Sequence, residues 1–306
     1  MGGIPFDPAK DIPSLQGKVI LITGGNIGIG KQSALELSKH NPSQLWIGGR
    51  NGETGNAAVE EIKAASPGAS VRFLKMDLAS FDSVKQAVKT FQASASRLDI
   101  LMCNAGILGG PAAVTKEGYE IHMGVNHVGH ALLFKLLLPQ MLETAKSPIG
   151  VEPRVVFVSS LGHKYGTSNG IIFESLKSKA ANVGATTKYG QSKLANLLYP
   201  QEIAKRYPQI TAVSLHPGNV KTDLFSRPGS GLVVSILRRV LLPIVGVSVE
   251  EGAKNQLWAA TAKDVVSGEY YEPIGISGKA GAVGKDKELA RRLWDWTEKE
   301  LEGQSL

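Results

Sequence analysis

Short apolar runs and longer helical patterns alternate along most of this chain. The run 19–23 (VILIT) is almost continuously apolar, as expected of a strand that is buried on both faces. Strands separated by helices imply right-handed crossovers, so the predicted fold class is α/β, a doubly wound parallel sheet with helices on both faces. Further strands are predicted over 45–49, 71–76, 98–103, 154–159 and 211–215, with helices over 28–40, 54–65, 81–94 and a long stretch that ends near 143.

No linker or repeat interrupts this alternation, so residues 1–306 are interpreted as a single domain with an N-terminal arm over 1–16. The net charge of +7 comes from basic residues scattered along the chain, which argues against a nucleic-acid surface. Cys103 is the only cysteine, which excludes an intrachain disulfide and fits a reducing compartment. Because no secretory signal or apolar run of transmembrane length is found, we expect a cytoplasmic protein.

A glycine-rich loop, 23–30 (TGGNIGIG), follows the first strand directly. Glycines permit a tight turn and let the backbone approach a pyrophosphate, and the N-terminus of the next helix offers free N–H groups to phosphate. The spacing departs from GxGxxG, since the first gap holds three residues. Its position between a strand and a helix nevertheless predicts a dinucleotide site.

The residues that end the second strand, 48–51 (GGRN), bear on which dinucleotide binds. An acidic residue here would hold the ribose 2′-hydroxyl of NAD, but none occurs before Glu53. Arg50 can instead bind a 2′-phosphate in bidentate fashion and stack on adenine. This favours NADP(H) as cofactor and leaves NAD(H) as the alternative.

Tyr189 and Lys193 lie four positions apart in a helical pattern, which places both side chains on one helix face. A phenol with its ordinary pKa of about 10 is a poor acid–base catalyst at neutral pH. A nearby ammonium group favours the phenolate and lowers that pKa. The motif occurs often by chance, so its interpretation depends on the other motifs of the chain.

Those motifs occur in a characteristic order: after the glycine loop come 103–106 (CNAG), Asn126, 159–160 (SS), 189–193 (YGQSK) and 216–218 (HPG). With this order the chain resembles the classical short-chain dehydrogenase/reductase family over roughly residues 17–275. The stretches most similar to retinol-dehydrogenase-like members are 126–130 (NHVGH), 159–163 (SSLGH) and 189–196 (YGQSKLAN). The resemblance implies a Rossmann-type domain that binds a nicotinamide cofactor.

The resemblance also implies catalytic roles for four residues. Ser160, rather than Ser159, would hydrogen-bond the substrate oxygen, and Tyr189 would donate the proton in reduction or accept it in oxidation. Lys193 would lower the pKa of Tyr189 and hold the ribose hydroxyls of the nicotinamide. Asn126 would distort its helix and support a water relay to Lys193.

Cofactor contacts are implied along the carboxyl edge of the sheet. Asp77 would meet the adenine amino group. The nicotinamide carboxamide would be bracketed by Pro217, Gly218 and Thr222. Many NADP(H)-dependent members carry a basic residue where this chain has Ile27, so the choice of cofactor depends mainly on Arg50. The implied cofactor-binding residues are Gly24, Asn26, Ile27, Gly28, Ile29, Gly30, Arg50, Asn51, Asp77, Leu78, Asn104, Ala105, Gly106, Tyr189, Lys193, Pro217, Gly218, Val220 and Thr222.

The apolar segment after the sixth strand, 225–249, would be the substrate lid of such an enzyme. Its central Arg238-Arg239 pair also leaves open a peripheral membrane contact, which is not favoured. His163 is interpreted as a solvated loop residue. No metal is expected, because His122, His127 and His130 form no ligand pattern.

These observations predict an NADP(H)-dependent oxidoreductase that interconverts a carbonyl (an aldehyde or ketone, lipophilic in character) and the alcohol. The alternatives are an NAD(H)-dependent alcohol dehydrogenase and a non-catalytic NADP(H)-binding redox sensor. The expected partner is a small carbonyl or alcohol substrate, and a homo-oligomer is compatible with the family. A GxSxG pattern at 166–170 is interpreted as a loop, because no strand leads into it.

Overall fold

A computed structural model describes residues 3–147, 152–166, 169–220 and 246–306. They form one seven-stranded sheet in the order β3-β2-β1-β4-β5-β6-β7, and every strand pair is parallel. This confirms the predicted α/β, doubly wound, Rossmann-type fold. The strands are β1 (Val19–Thr23), β2 (Gln44–Gly49), β3 (Val71–Lys75), β4 (Ile100–Cys103), β5 (Arg154–Val158), β6 (Thr211–Leu215) and β7 (Tyr270–Tyr271).

The strand order reverses at β1, which pairs with β2 on one side and β4 on the other. Ligands of doubly wound folds bind at such a switch point, outside the carboxyl ends of the strands. β7 was not predicted, because two residues are too short to show a strand pattern.

Helices connect the strands and cover both faces of the sheet. The predicted helix over 28–40 ends at Ser38, and the other predicted elements also agree to within two residues at their ends. The helices are α1 (Pro8–Asp11), α2 (Gly28–Ser38), α3 (Gly52–Ala65), α4 (Phe81–Gln92), α5 (Ile121–Met123), α6 (Gly129–Ala145), α7 (Ala185–Arg206), α8 (Val249–Thr261), α9 (Gly281–Gly284) and α10 (Lys287–Glu300). No helix among the described residues has the length and apolar character needed to cross a membrane.

Two hydrophobic cores lie on opposite faces of the sheet. In β1, Leu21 packs into one core, while Ile20 and Ile22 pack into the other. Successive strand residues point to opposite faces, so a strand that is covered on both sides must be apolar throughout. Because every strand pair is parallel, the polar residues that follow each strand lie at one edge of the sheet.

The two ends of the chain pack against this framework. In the N-terminal arm, Phe6 and Leu15 are buried, and the Ile4 N–H donates to the Ile274 carbonyl at 3.0 Å. At the other end, Trp294 of α10 stacks on Tyr199 of α7 with ring centroids 4.9 Å apart. The C-terminal helix therefore covers the helix that carries Tyr189 and Lys193.

Candidate active site

The loop after β1 has the backbone that its glycines predict. Gly24 and Gly28 have φ angles of +65° and +55°, a region that side chains disfavour. A Cβ added at Gly24 would lie 3.0 Å from the Ala105 Cα. Ile27 occupies the N-cap of α2 without a side-chain cap bond, so the N–H groups of the first turn are open to a phosphate.

Hydrogen bonds join this loop to the segment after β4. The Thr23 Oγ1 accepts from the backbone N–H groups of Asn104 at 3.0 Å and Ala105 at 2.9 Å. The Asn104 Nδ2 donates to the Thr23 carbonyl at 2.8 Å. The structure therefore brings Gly24, Asn104 and Ala105 together at the switch point.

Arg50 and Asn51 were both predicted to bind the adenosine half of the cofactor. They differ in whether their side chains already make hydrogen bonds within the protein. Arg50 is exposed and makes no hydrogen bond or ion pair with the described part of the chain. The Asn51 Oδ1 caps α3, where it accepts from the N–H groups of Glu53 and Thr54 at 2.8 and 3.2 Å. Arg50 is thus available to a ligand, whereas Asn51 also holds its own helix.

Three further predicted contacts lie nearby. The Asn26 Nδ2 donates to Thr54 at 2.9 Å, and the Asp77 Oδ1 accepts from the Ala79 N–H at 3.0 Å. Leu78 is buried, and its carbonyl leaves no room for a side chain at Gly129. These side chains shape the rim of the cleft.

Tyr189 lies on α7 and is 8% exposed. Burial raises the pKa of the phenol to about 12, and a side-chain hydrogen bond with Ser160 opposes that rise. Ser160 also accepts from the Gly162 N–H at 3.0 Å, whereas the neighbouring Ser159 is turned away and donates to the Lys193 carbonyl at 2.6 Å. The structure therefore brings Ser160, not Ser159, to Tyr189.

Lys193 is buried one turn further along α7. Its Nζ donates to the Val158 carbonyl at 2.9 Å and lies 5.8 Å from the centre of the Tyr189 ring. Burial lowers the pKa of Lys193 to about 8. Burial dominates at Tyr189 and raises the pKa of the phenol, so the lowering of that pKa by this amine stays a prediction.

Asn126 lies in a π-helical turn (Gly124–Val128) between α5 and α6, so the expected distortion of its helix is present. Its amide exchanges hydrogen bonds with the backbone of Ile107 at 2.8 and 3.1 Å and donates to Ser192 at 2.9 Å. A Cβ added at Gly106 would lie 3.3 Å from the Lys193 Nζ and 3.4 Å from the Asn126 Oδ1. Gly106 thus marks the point where β4, the π-helical turn and α7 converge.

His130, for which the sequence suggested only a metal-ligand role that was set aside, belongs to the same network. Its Nε2 lies 2.8 Å from the Thr23 Oγ1 and its Nδ1 lies 2.9 Å from the Asn126 carbonyl. Burial lowers the pKa of His130 to about 4, so the ring is neutral, with its proton on Nδ1 because a carbonyl only accepts. The i, i+4 spacing of Asn126 and His130 was the signal available in the sequence.

The segment after β6 closes the other side of the cleft. Pro217 and Val220 are buried, and Gly218 has a φ of +92°. Val220 forms an isolated parallel bridge with Val247. Thr222 and residues 225–245 of the predicted lid lie outside the described residues, and the end of that segment, Ser248, caps α8.

A cavity of about 460 Å³ opens beside these residues, next to Leu161 and Gly218. Its wall is mostly apolar, with three groups that can carry charge. Its lining comprises Gly3, Leu161, His216, Gly218, Asn219, Val247, Glu272, Pro273, Ile276 and Lys279.

The interpretation of His163 as a solvated loop residue was wrong, since the side chain is only 4% exposed. The loop that carries it folds back as a short 3-10 helix (Leu161–Tyr165) under the C-terminal residues. Its ring then contacts Ala280, a neighbour that is distant in the sequence.

Comparisons with known proteins agree with this geometry. The family model described as short chain dehydrogenase matches residues 18–229. The chain is 35% identical to a short-chain dehydrogenase/reductase of Aspergillus calidoustus, over 96% of this chain and 97% of that protein. It is also 35% identical to retinol dehydrogenase 12 of Mus musculus, over 92% of this chain and 85% of the relative.

Solved structures share the fold. An uncharacterised protein of Mycobacterium paratuberculosis superposes with a TM-score of 0.73 at 27% identity, covering 96% of each chain. A short-chain dehydrogenase of Shigella flexneri, complexed with NADP, superposes with a TM-score of 0.63 at 20% identity, covering 84% of this chain and 97% of that one.

Proposed function

The chain belongs to the short-chain dehydrogenase family, and on that premise we propose that it is an NADP(H)-dependent oxidoreductase that interconverts a lipophilic aldehyde or ketone with its alcohol. One observation carries the proposal. Ser160, Tyr189 and Lys193 meet in a buried cleft, beside the open N-terminus of α2 at the switch point of the sheet. A tyrosine and lysine that only stabilised their helix would have no need of a buried phenol that is hydrogen-bonded to a serine hydroxyl.

The residues at this edge fit a phosphorylated dinucleotide. The uncapped first turn of α2 would hold the pyrophosphate, and the exposed guanidinium of Arg50 would bind the 2′-phosphate. The close approach of Gly24 to Ala105 leaves a flat backbone surface for the rest of the ligand. When bound, the cofactor supplies or accepts the hydride, while the protein supplies placement and polarity.

Each side chain of the cleft has a separate task in this proposal. Tyr189 is protonated at neutral pH, and its proton would pass to the carbonyl oxygen because the alkoxide that forms on hydride transfer is a stronger base than the phenolate, even with the pKa of the phenol raised to about 12. Ser160 hydrogen-bonds the same oxygen and so orients it toward the phenol. Lys193, with a pKa of about 8, lies beside the ring and can carry the charge that favours the phenolate in the reverse direction.

The cavity beside the cleft indicates the class of substrate. Leu161, Val247 and Ile276 provide an apolar wall next to the segment that follows Ser160. A pocket of this kind favours an apolar substrate whose polar group points to a few converging side chains. The similarity to mouse retinol dehydrogenase 12 supports the same class.

The test is Tyr189→Phe, measured by NADPH consumption with a panel of aliphatic and aromatic aldehydes and ketones. We expect kcat to fall by about 10²–10⁴-fold with NADPH affinity preserved, because only the transferable proton is removed. Tyr165→Phe is the matched control, since Tyr165 is 67% exposed and should tolerate the change. Full activity in Tyr189→Phe would refute the role of the phenol.

A further inference from the structure

Each ring nitrogen of His163 faces a backbone carbonyl oxygen. The Nδ1 lies 2.6 Å from the Ser160 oxygen and the Nε2 lies 3.0 Å from the Ala280 oxygen. A carbonyl only accepts hydrogen bonds, and a neutral imidazole has a single N–H. Both contacts are therefore hydrogen bonds only when the ring is an imidazolium.

The two carbonyls belong to segments that are far apart in the sequence. The first is that of Ser160, whose hydroxyl faces Tyr189, and the backbone N–H of His163 donates to the same oxygen at 3.1 Å. The second is that of Ala280, which follows the cavity residue Lys279 and precedes α9. The His163 ring thus connects the serine of the cleft to the C-terminal side of the cavity.

We propose that His163 is a positioning residue that fixes the Ser160 hydroxyl against Tyr189, and that it also clamps the Ala280 segment when its ring is protonated. This inference rests on the proposed function, because it assigns Ser160 to the substrate oxygen. Neutral His163 keeps the shorter bond, from Nδ1–H to Ser160. Protonation adds the bond to Ala280 and joins the two segments.

A second histidine near Ser160, His216, must stay neutral to keep its hydrogen bond. The His216 Nδ1 accepts from the Leu161 N–H at 3.3 Å, which requires a nitrogen without a proton. Burial lowers the pKa of His216 to about 3, so this ring stays neutral. Two buried histidines therefore flank Ser160, and only His163 has acceptors for both of its nitrogens.

The groups around His163 determine the pH at which its ring gains a proton. Burial lowers its pKa below the ordinary value of 6.5, and the two carbonyls and Glu272 oppose that shift. Lys164 carries positive charge and acts in the same direction as burial, whereas His216 stays neutral. Tyr270 presents its ring edge with centroids 5.1 Å apart and donates its hydroxyl proton to Glu272 at 2.8 Å. The clamp should thus close below neutral pH.

The direct test is nitrogen-15 NMR of the imidazole rings in the full chain, from about pH 8 to about pH 5. The spectrum of His163→Gln assigns the signals of His163. We expect an Nδ1–H tautomer at the high end and two protonated nitrogens at the low end, while His216 stays neutral throughout. An Nε2–H tautomer, or a ring that remains neutral at the low end, would overturn the proposal.

Kinetics test the positioning role. His163→Leu removes the donor to Ser160 and should lower kcat by about 10-fold or more, with NADPH affinity within about twofold of wild type. His163→Gln keeps a neutral N–H donor and should recover kcat to within about threefold at neutral pH, but without the wild-type response of kcat to acid. His40→Leu, just beyond the C-terminal end of α2, is the control.

Failure of the proposed function and failure of the His163 proposal would give different results. Wild-type protein that reduces no carbonyl would contradict the proposed function, whereas the NMR measurement would still decide whether His163 bridges the two carbonyls. Active wild-type protein with the same kcat in His163→Leu would overturn the positioning role alone.

Discussion

The cofactor side of the cleft, at the ends of β1, β2 and β4, differs in construction from the substrate side, at the ends of β5, β6 and β7. On the cofactor side, glycines bring two backbones together, as at Gly24 and Ala105. On the substrate side, buried polar side chains connect loops, as His163 and His216 do. The first side should therefore fail when atoms are added, and the second when hydrogen-bond donors are removed or when His216 gains a proton.

The largest effect is expected from Gly24→Ala on the cofactor side. The new Cβ would lie 3.0 Å from the Ala105 Cα at a φ of +65°, so the loop must move. We expect NADPH affinity to fall by about 100-fold, measured by fluorescence titration. Gly68→Ala is the matched control, since Gly68 has a φ of +88° with nothing within 4 Å of an added Cβ. Equal losses of affinity in both variants would attribute the effect to backbone strain rather than to close approach.

Acid should weaken the regions that depend on neutral histidines. Burial lowers the pKa of His127, His130 and His216 to about 3, about 4 and about 3, from an ordinary 6.5. The unfolded chain takes up these protons first, so stability that is present above pH 6.5 is lost as the pH falls below it. Between about pH 7 and about pH 6 the free energy of unfolding should decrease by about 2 kcal/mol, measured by urea titration. A constant value over this range would contradict neutral buried histidines.

The choice of cofactor can be tested at Arg50. Arg50→Gln removes the charge for a 2′-phosphate, and we expect NADPH affinity to fall by about 10-fold with NADH affinity almost unchanged. The matched control is Arg72→Gln, because Arg72 is also exposed and its guanidinium lies over the Trp46 ring at 5.3 Å. Equal losses of affinity for NADPH and for NADH in Arg50→Gln would contradict a preference for NADP(H).

The smallest effect is expected where the two sides meet. Gly106→Ala places a methyl group 3.3 Å from the Lys193 Nζ and 3.4 Å from the Asn126 Oδ1, distances that small shifts can accommodate. We expect kcat to fall by about threefold to tenfold with little change in NADPH affinity. A loss confined to NADPH affinity would assign Gly106 to the cofactor side alone.

Much of the cofactor side could be predicted from the sequence, because the residues of each motif lie close together along the chain. The glycines of the loop after β1 follow the strand directly, and Tyr189 and Lys193 lie on one face of α7 through helix periodicity. The strand order and the edge at which these residues meet follow from the alternation of strands and helices. What the motifs could not predict was the pKa of Tyr189, because burial by residues distant in the sequence raises it.

The substrate side was harder to predict because its contacts join distant segments. The ring of His163 meets Ala280, and that of His216 accepts from the Leu161 N–H, although nothing in the neighbouring residues indicates either pairing. β7 is only two residues long, and its pairing with β6 depends on the rest of the sheet.

The sequence by itself determined the α/β architecture, the position of the glycine loop and the residue types available for proton transfer, because strand and helix periodicities act over a few neighbouring residues. Only the tertiary structure decided that the pKa of Tyr189 is raised, and which histidines are buried as neutral acceptors or as donors to carbonyls. Burial and hydrogen-bond pairing are properties of the packed chain, and they depend on residues brought together across the sheet.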